Sequence, residues 1–268
     1  MRILALLAAY NEERFIAACL EHLFHHGIQA YLIDNCSTDA TVSIAERYLN
    51  RGLIGIETLP RKETYDLVLL LRTKERLAAE LDADWFMHMD VDEFRLPPPG
   101  YDRLALAIQA VDAAGYNAVN FLEFTFIPTR ESPNHDHSRF LETMRWYYPF
   151  LPSFPHQLKA WKLQPVPVDL VTFGGHRVNF PGLRMYPGSF WMRHYQFLSA
   201  EHAFKKYAQI DFEPSALARG FHTWRTEVTR EKITLPSEAE LRRYTSDDKM
   251  DSTHPWKQHY LADCVLRN

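Results

Sequence analysis

The sequence contains few cysteines and no long apolar run. Its three cysteines, Cys19, Cys36 and Cys264, are an odd number without C-x-x-C spacing. This argues against a disulfide framework or a zinc ribbon and fits a reducing, cytoplasmic compartment. No window approaches the roughly 18 to 20 consecutive apolar residues that cross a bilayer, so any membrane contact is expected to be peripheral, at the inner face.

An excess of positive charge is absent as well. The net charge is −4, and the lysines and arginines are scattered along the chain, which argues against nucleic-acid binding. The chain does have 268 residues and 46% apolar content, enough for one large α/β domain or two small ones with a buried core. Residues 2–9 superficially resemble the core of a signal peptide, but no cleavage site follows them, so they predict a buried first strand.

The first 126 residues alternate between strand-like and helix-like runs. Strands are predicted at residues 3–9, 30–33, 54–59, 83–89 and 118–126. Helices are predicted at residues 12–25, 40–49, 65–81 and 104–114. This alternation predicts an α/β fold with a mainly parallel sheet flanked by helices, in which ligands bind beyond the carboxyl ends of the strands.

The pattern loosens after residue 126. Short strands are predicted at residues 158–163, 170–173 and 190–194, and a helix from 200 to about 210. Aromatic residues are dense between 121 and 161, for example in Trp146-Tyr147-Tyr148. Such rings stack on sugars, or they pack in the protein core. We interpret this region as part of the same domain and not as an independent one.

The motif Asp90-Val91-Asp92 follows the strand predicted at residues 83–89. Two carboxylates at this spacing can reach one ion, and oxygen ligands suit Mn²⁺ or Mg²⁺. Glu93 adds a third carboxylate, and like charges at one point repel each other unless something positive binds. The alternative interpretation is a solvated acidic turn, because D-x-D also occurs by chance in many chains.

Three segments together resemble glycosyltransferase family 2, whose members have the GT-A fold. They are Ala-Tyr-Asn-Glu-Glu at 9–13, Asp-Asn-Cys-Ser-Thr-Asp at 34–39 and His-Met-Asp-Val-Asp-Glu-Phe at 88–94, the last typical of a D-x-D-E-F branch. The resemblance implies a single GT-A domain, with residues 1–126 as the nucleotide-sugar-binding half and 127–268 as the acceptor-binding half. It also implies metal-dependent sugar transfer from a nucleoside diphosphate donor, most often UDP, to a hydroxyl of a glycan, lipid or small molecule.

The resemblance assigns roles to individual residues near these segments. Base and ribose contacts fall to Tyr10, Asn11 and Asp34. Asp92 is then a metal ligand, while Asp90 reaches the ribose or a metal-bound water, and Glu93 is a supporting partner. Asp39 fits a helix cap better than a ligand.

Further candidates lie outside the three segments. Segment 193–199 resembles an H-Y-x-x-x-S motif that makes His194 the distal metal ligand, the alternative being an ordinary hydrogen-bonded histidine. His176, after two glycines, is predicted to approach a sugar or phosphate, or else belongs to a turn. For the diphosphate, Arg72 is preferred among four basic residues, with a solvated helix face as the alternative. The four are Arg61, Lys62, Arg72 and Lys74.

Removal of the proton from an acceptor hydroxyl requires a base. The Glu-Asp pair usual in family 2 is absent, and Glu123 and Asp169 are the remaining candidates. Two other functions stay open: a nucleotide-sugar-binding or glycan-binding module without turnover, and a nucleotidyltransferase. The second is disfavoured because residues 8–13 are not a Gly-rich basic loop. A dehalogenase-type phosphatase is disfavoured too, since its D-x-D follows the first strand.

Overall fold

The computed structural model describes residues 1–61, 64–208 and 223–267. These residues form two compact units, each built from separate stretches of the chain. The first unit comprises the described residues of 1–62, 67–121 and 155–192. The second comprises those of 63–66, 122–154 and 193–268.

The secondary structure begins with the predicted alternation of strands and helices. Its first part consists of β1 (Ile3–Ala9), α1 (Ile16–His25), β2 (Gln29–Asp34), α2 (Thr41–Glu46), β3 (Leu53–Thr58), α3 (Leu67–Glu80), β4 (Trp85–Asp90), β5 (Glu93–Leu96), α4 (Leu104–Ala113) and β6 (Ala118–Phe126). It continues with α5 (Phe140–Thr143), β7 (Trp146–Phe150), β8 (Gln157–Lys162), β9 (Phe190–Tyr195), α6 (Ala200–Ala208), β10 (Arg242–Arg243) and α7 (Tyr260–Arg267). Three short 3₁₀ helices lie at Thr223–Glu227, Glu238–Glu240 and Asp247–Lys249.

The first unit is organised around β1. This strand pairs in parallel with β2 and with β4, and β2 pairs in parallel with β3. Strand β8 is antiparallel to β4, and residues 118–121 of β6 are antiparallel to β8. The sheet is therefore mixed but mostly parallel and, with its helices, is the arrangement expected of a GT-A fold.

Burial explains why the sequence adopts this arrangement. Residues Ile3 to Leu7 are at most 2% exposed, as expected for a parallel strand with both faces covered. Helix α1 buries four residues at helical spacing, Ile16, Cys19, Leu20 and Leu23, and this apolar stripe is what such a helix needs for packing. The predicted amphipathic pattern thus reflects real core positions.

The second unit contains a smaller sheet with its own core. Residues 123–126 of β6 are antiparallel to β7, and β7 is antiparallel to β10. The core includes Tyr148, Phe150, Phe197, Leu261 and Val265. Tyr147 and Tyr148 are only 2% and 1% exposed, so these two aromatic residues pack inside the protein instead of offering faces to a sugar.

Most predicted elements are present, with bounds shifted by a few residues, and β1 and β6 match exactly. Strands β5, β7 and β10 and helices α5 and α7 were not predicted. The strand predicted at 170–173 is wrong, because this segment forms turns closed by Gly174 N–H to Val171 C=O and His176 N–H to Phe173 C=O. The last two residues of the helix predicted to end near 210 lie outside the described residues. Among the described residues, no helix has the length and apolar content to cross a membrane.

Candidate active site

Three strands of the first unit end at the same level, and their last residues carry the predicted site. Ala8 of β1 is the register partner of Asp90, and Ala9 is the partner of Asp34. Asp34 and Asp90 therefore flank the end of β1 from opposite sides. Ligands of parallel sheets bind at this edge, so the structure brings the predicted nucleoside and metal residues to one place.

The loops after β1 and β2 are tied together by Asn11. Its Oδ1 accepts hydrogen bonds from the backbone N–H of Thr38 at 2.7 Å and of Asp39 at 3.4 Å. Its own N–H donates to Ser37 Oγ at 2.9 Å. Asn11 has a φ of 55°, in the left-handed region that asparagine tolerates better than most residues. Its side-chain oxygen thus connects the loop after β1 to the loop after β2.

Asp34 and Asp39 have different local roles. Asp34 is 3% exposed and both of its carboxylate oxygens lie 3.2 Å from the N–H of Ser37. Asp39 Oδ1 accepts from the N–H of Thr41 at 2.9 Å, at the first residue of α2. The N-cap of α2 is Ala40 and makes no side-chain cap, so Asp39, one residue before it, contacts the start of the helix from outside the cap position.

A basic residue stacks on Tyr10 at the same sheet edge. The guanidinium carbon of Arg61 lies 3.8 Å from the centroid of the Tyr10 ring, within the range of a cation–π contact. Arg61 Nη1 also donates to Asn35 Oδ1 at 3.2 Å. Of the four basic candidates, Arg61 therefore lies beside the predicted nucleoside residue Tyr10. Lys62 lies outside the described residues.

The two aspartates of the D-x-D motif differ in environment. Asp92 is 5% exposed, whereas Asp90 is half-buried. Within the described ranges, the Asp90 carboxylate makes no hydrogen bond or ion pair. Carboxylate oxygens are the hard donors that Mn²⁺ and Mg²⁺ prefer. The donor set thus fits a divalent cation, with Asp90 and Asp92 as the residues that would hold it.

Glu93 is bound by the protein's own cations. Lys159 Nζ donates to Glu93 Oε1 at 2.8 Å, and Arg95 Nη2 donates to Glu93 Oε2 at 2.6 Å. All three side chains are at most 4% exposed. Repulsion among the three carboxylates does not by itself require a metal, because these cations already compensate Glu93. Glu93 also accepts the N–H of Asp90 at 3.3 Å, which supports the predicted positioning role.

Lys74 is buried under the D-x-D motif instead of facing solvent. Its Nζ donates to the carbonyl oxygen of Met89 at 2.9 Å and lies 2.9 Å from His88 Nδ1. Burial lowers the pKa of Lys74 to about 8, although the nearby Asp90 carboxylate opposes the shift. Burial, and next the charge of Lys74, also keep the pKa of His88 well below its usual value. Lys74 therefore fixes the end of β4.

The loop containing His176 packs on the same strand. A Cβ atom added to Gly175 would lie 2.9 Å from His88 Nε2, and the φ of Gly175 is +81°. His176 stacks on His156 with ring centroids 4.8 Å apart. Gly175 is thus required for close approach to β4, and the approach of His176 to a ligand stays a prediction.

Arg72 and Asp169 have partners of their own. Arg72 Nη1 lies 2.7 Å from Glu75 Oε2, and its side chain is 62% exposed. Asp169 Oδ1 accepts the N–H of Thr172 at 2.9 Å. Although partial burial would raise the pKa of Asp169, hydrogen bonds from Thr172 lower it below its usual value. These contacts favour the helix-surface interpretation for Arg72 and a turn-stabilising role for Asp169.

Two predicted residues of the second unit contact each other directly. His194 Nδ1 lies 2.6 Å from Glu123 Oε1, which also accepts from Thr125 Oγ1 at 3.0 Å. His259 Nε2 lies 3.7 Å from the same Glu123 oxygen. Glu123 is 2% exposed. The sequence separately suggested Glu123 as base and His194 as metal ligand, but it did not suggest that they form one cluster.

Sequence reasoning missed the contributions of Lys159, Arg95 and His259. Lys159 is 66 residues from its partner Glu93, and His259 is one of thirteen histidines with no motif around it. Arg95 lies three residues after the D-x-D motif and is fully buried. Only a prediction of the buried strand β5 would have indicated this burial from the sequence. Strand β5 was not predicted, so this signal was not visible.

Comparison with known protein families gives a match to glycosyl transferase family 2 over residues 5–148. The match spans more than half of the chain and contains all three strand ends described above. The chain therefore belongs to glycosyl transferase family 2. No curated protein matches the sequence.

Solved structures with a similar fold include two of TarS from S. aureus. One, TarS 1-349 in complex with UDP-GlcNAc, has a TM-score of 0.43 and 13% identity, over 73% of this chain and 59% of that one. The other, in complex with UDP, has a TM-score of 0.45 and 11% identity, over 85% and 70%.

A third similar structure is glucosyl-3-phosphoglycerate synthase from Mycobacterium tuberculosis, in complex with Mn²⁺, UDP and glucosyl-3-phosphoglycerate. It has a TM-score of 0.30 and 19% identity, over 46% of this chain and 44% of that one. The chain thus matches only 59% of the first TarS structure and less than half of the synthase. Similarity at this level carries no argument about substrates.

Proposed function

We propose that the protein transfers a sugar from a nucleoside diphosphate donor, with UDP as the expected nucleotide, to a hydroxyl of a glycan, lipid or small molecule. The observation that supports this most directly is the family 2 match over residues 5–148. Its strand ends carry Asp34 and Asp90 on either side of β1. A cytoplasmic location and peripheral membrane contact stay predictions, as does a single GT-A domain over residues 1–268.

The residues after β1, β2 and β3 form the proposed nucleoside site. Asp34 offers a buried carboxylate for hydrogen bonds to base or ribose. Tyr10 and Arg61 form a stacked pair beside it. Arg61 supplies a planar cation that suits phosphate oxygens better than the Glu75-paired Arg72 does. Asn11 acts mainly by holding the two loops in place.

Mn²⁺ or Mg²⁺ would be held by Asp90 and Asp92. When bound, such a cation neutralises the charge that grows on the leaving diphosphate. Glu93 accepts the N–H of Asp90, and Lys74 donates to the carbonyl oxygen of Met89. Arg95 and Lys159 in turn hold the Glu93 carboxylate. For proton removal from the acceptor, Glu123 and Asp169 remain the candidates, and the lowered pKa of Asp169 argues against Asp169 as the base.

Thermal unfolding in the presence of UDP, GDP, CDP and dTDP, each with and without Mn²⁺, tests the proposal. A ligand at about 100 times its dissociation constant adds roughly 2.7 kcal/mol to the free energy of unfolding. We expect UDP with Mn²⁺ to stabilise the protein most and Asp92→Asn to abolish the metal-dependent part. The matched control is Asp82→Asn, which changes a 99% exposed aspartate.

The absence of a metal-dependent response to any of the four nucleotides would contradict the proposal. Release of UDP from UDP-sugars in the presence of acceptor candidates then separates a transferase from a binding module. Binding without any turnover would favour the module. Incorporation of a nucleotidyl group into product would favour a nucleotidyltransferase.

A further inference from the structure

Three possible metal ligands converge within the second unit. The ligand atoms of Glu123, His194 and His259 all lie within 4.8 Å of one another. Glu123 Oε1 is central, at 2.6 Å from His194 Nδ1 and 3.7 Å from His259 Nε2. The Glu123 side chain is fully buried, and the two histidine side chains are 16% and 22% exposed. The cluster is thus a mostly buried site with limited access for solvent.

We propose that Glu123, His194 and His259 bind a divalent transition metal of the zinc class, separate from the cation held by Asp90 and Asp92. Two imidazoles and one carboxylate favour zinc, cobalt or iron, whereas an all-oxygen set favours magnesium or manganese. Three protein ligands also leave a position for water on a four-coordinate ion, as in catalytic zinc sites. The two ligand sets therefore differ in the metals that they select.

Neighbouring side chains hold Glu123 and His259 in place without a metal. Thr125 Oγ1 donates to Glu123 Oε1 at 3.0 Å. Tyr148 Oη lies 3.1 Å from His259 Nδ1, which directs the other ring nitrogen toward Glu123. The His259 ring stacks on Phe150 with centroids 3.6 Å apart. Hydrogen-bonded partners of this kind orient ligands and raise metal affinity.

Metal binding replaces one hydrogen bond in the cluster. Because a carboxylate oxygen accepts, the proton between His194 and Glu123 resides on His194 Nδ1. Two ligand atoms at about 2.1 Å from a tetrahedral zinc ion are about 3.4 Å apart, compared with the 2.6 Å observed. The metal therefore separates the pair slightly, and a neutral His194 ring then carries its proton on Nε2 while Nδ1 binds the metal, so no net proton is released.

The zinc site does not depend on the proposed transferase activity, because it is tested with the metal alone. With this site, Glu123 is a metal ligand and no longer a candidate base. His194 then binds this ion and not the diphosphate cation. A protein that binds no nucleotide would still be expected to bind zinc.

Titration of chelator-treated, full-length protein with Co²⁺ measures the site, since cobalt bound by imidazoles absorbs visible light strongly in a four-coordinate site. Zn²⁺ then displaces the cobalt. We expect one equivalent of Co²⁺ per chain, lost on addition of Zn²⁺ and unaffected by Mg²⁺.

Variants locate the ligands. We expect His194→Gln, His259→Gln and Glu123→Gln each to weaken Co²⁺ binding by about 100-fold or more, and Thr125→Val by about 10-fold. The matched control is His25→Gln, which changes an exposed histidine of α1. Asp92→Asn is expected to leave the cobalt spectrum unchanged. Thr125→Val replaces one side chain by another of similar shape, so it tests the site even if a ligand variant fails to fold.

Loss of the cobalt spectrum in all three ligand variants, with retention in His25→Gln and Asp92→Asn, supports the inference. The absence of tight Co²⁺ and Zn²⁺ binding would overturn it, and the cluster would then be a hydrogen-bonded one only. Cobalt binding that survives His259→Gln would also overturn it. So would a metal-dependent UDP response that is lost in His194→Gln as completely as in Asp92→Asn.

Discussion

Lys159 Nζ and Glu93 Oε1 form a buried ion pair at 2.8 Å beneath the D-x-D motif. Both side chains are 4% exposed, and Glu93 also binds Arg95 and the N–H of Asp90. The pair therefore connects β8 to the residue that follows the two proposed metal ligands. Its loss is expected to affect both stability and the geometry of the motif.

We expect Lys159→Met to lower the free energy of unfolding by about 3 kcal/mol, because removing one partner leaves a buried charge with less compensation. Because Arg95 still contacts Glu93, we expect the loss of free energy at the lower end of the roughly 3–5 kcal/mol usual for a broken buried ion pair. Urea unfolding followed by circular dichroism measures it. Arg139→Met is the control, since Arg139 and Glu142 form an exposed pair and its loss should leave stability nearly unchanged. Equal effects of the two variants would contradict a supporting role for Lys159.

The residues at the sheet edge of the site could be predicted because the sequence evidence for them is local. Apolar runs identify β1, β2 and β4, and the polar residues directly after them mark where each strand ends. Lys159 and His259 could not be predicted in the same way, since each is far along the chain from its partner, and a lone lysine or histidine has no pattern. Their roles follow from strand pairing and packing, which no local window contains.

The strand predicted at residues 170–173 shows a second limit of local evidence. Leu170 and Val171 are buried, which is the reason the segment looks like a strand. Its backbone nevertheless forms turns, with the N–H of Leu170 donating to Glu75 Oε1 at 2.7 Å. Long-range hydrogen bonds of this kind compete with strand pairing, and hydrophobicity alone does not reveal them.

Asn11 provides a test of scaffolding against direct ligand contact. Asn11→Ala removes the acceptor for two backbone N–H groups and places alanine, which tolerates the left-handed region less well than asparagine, at a φ of 55°, so we expect a loss of about 1–2 kcal/mol. Asn11→Asp keeps the acceptor oxygen and should retain both stability and the UDP response. Thermal unfolding with and without UDP and Mn²⁺ measures both. A UDP response lost in Asn11→Ala beyond what its loss of stability explains would instead contradict a purely structural role for Asn11.

Arg61 is expected to contribute more to nucleotide binding than Arg72 does. Arg61 stacks on Tyr10 at the sheet edge, whereas Arg72 is paired with Glu75. We expect Arg61→Met to weaken UDP binding about 10-fold or more, which corresponds to the roughly 1.5–3 kcal/mol of a charge-assisted hydrogen bond, and Arg72→Met to have little effect. Isothermal titration with UDP and Mn²⁺ measures both dissociation constants. The reverse order would restore Arg72 as the diphosphate-binding residue.

Gly175 tests whether the loop before His176 must approach β4 closely. Both Gly175 and Gly100 have a positive φ, +81° and +95°, but only at Gly175 would a β-carbon meet other atoms, His88 Nε2 at 2.9 Å and Leu71 Cδ2 at 3.0 Å. Alanine at either position therefore carries a similar backbone strain. We expect Gly175→Ala to destabilise the protein by about 1–3 kcal/mol more than Gly100→Ala, because overpacking adds to that strain. Parallel urea unfolding of the two variants measures the difference in the free energy of unfolding. Equal losses would mean that the loop moves without a measurable loss of stability, and that its contact with His88 does not hold the end of β4.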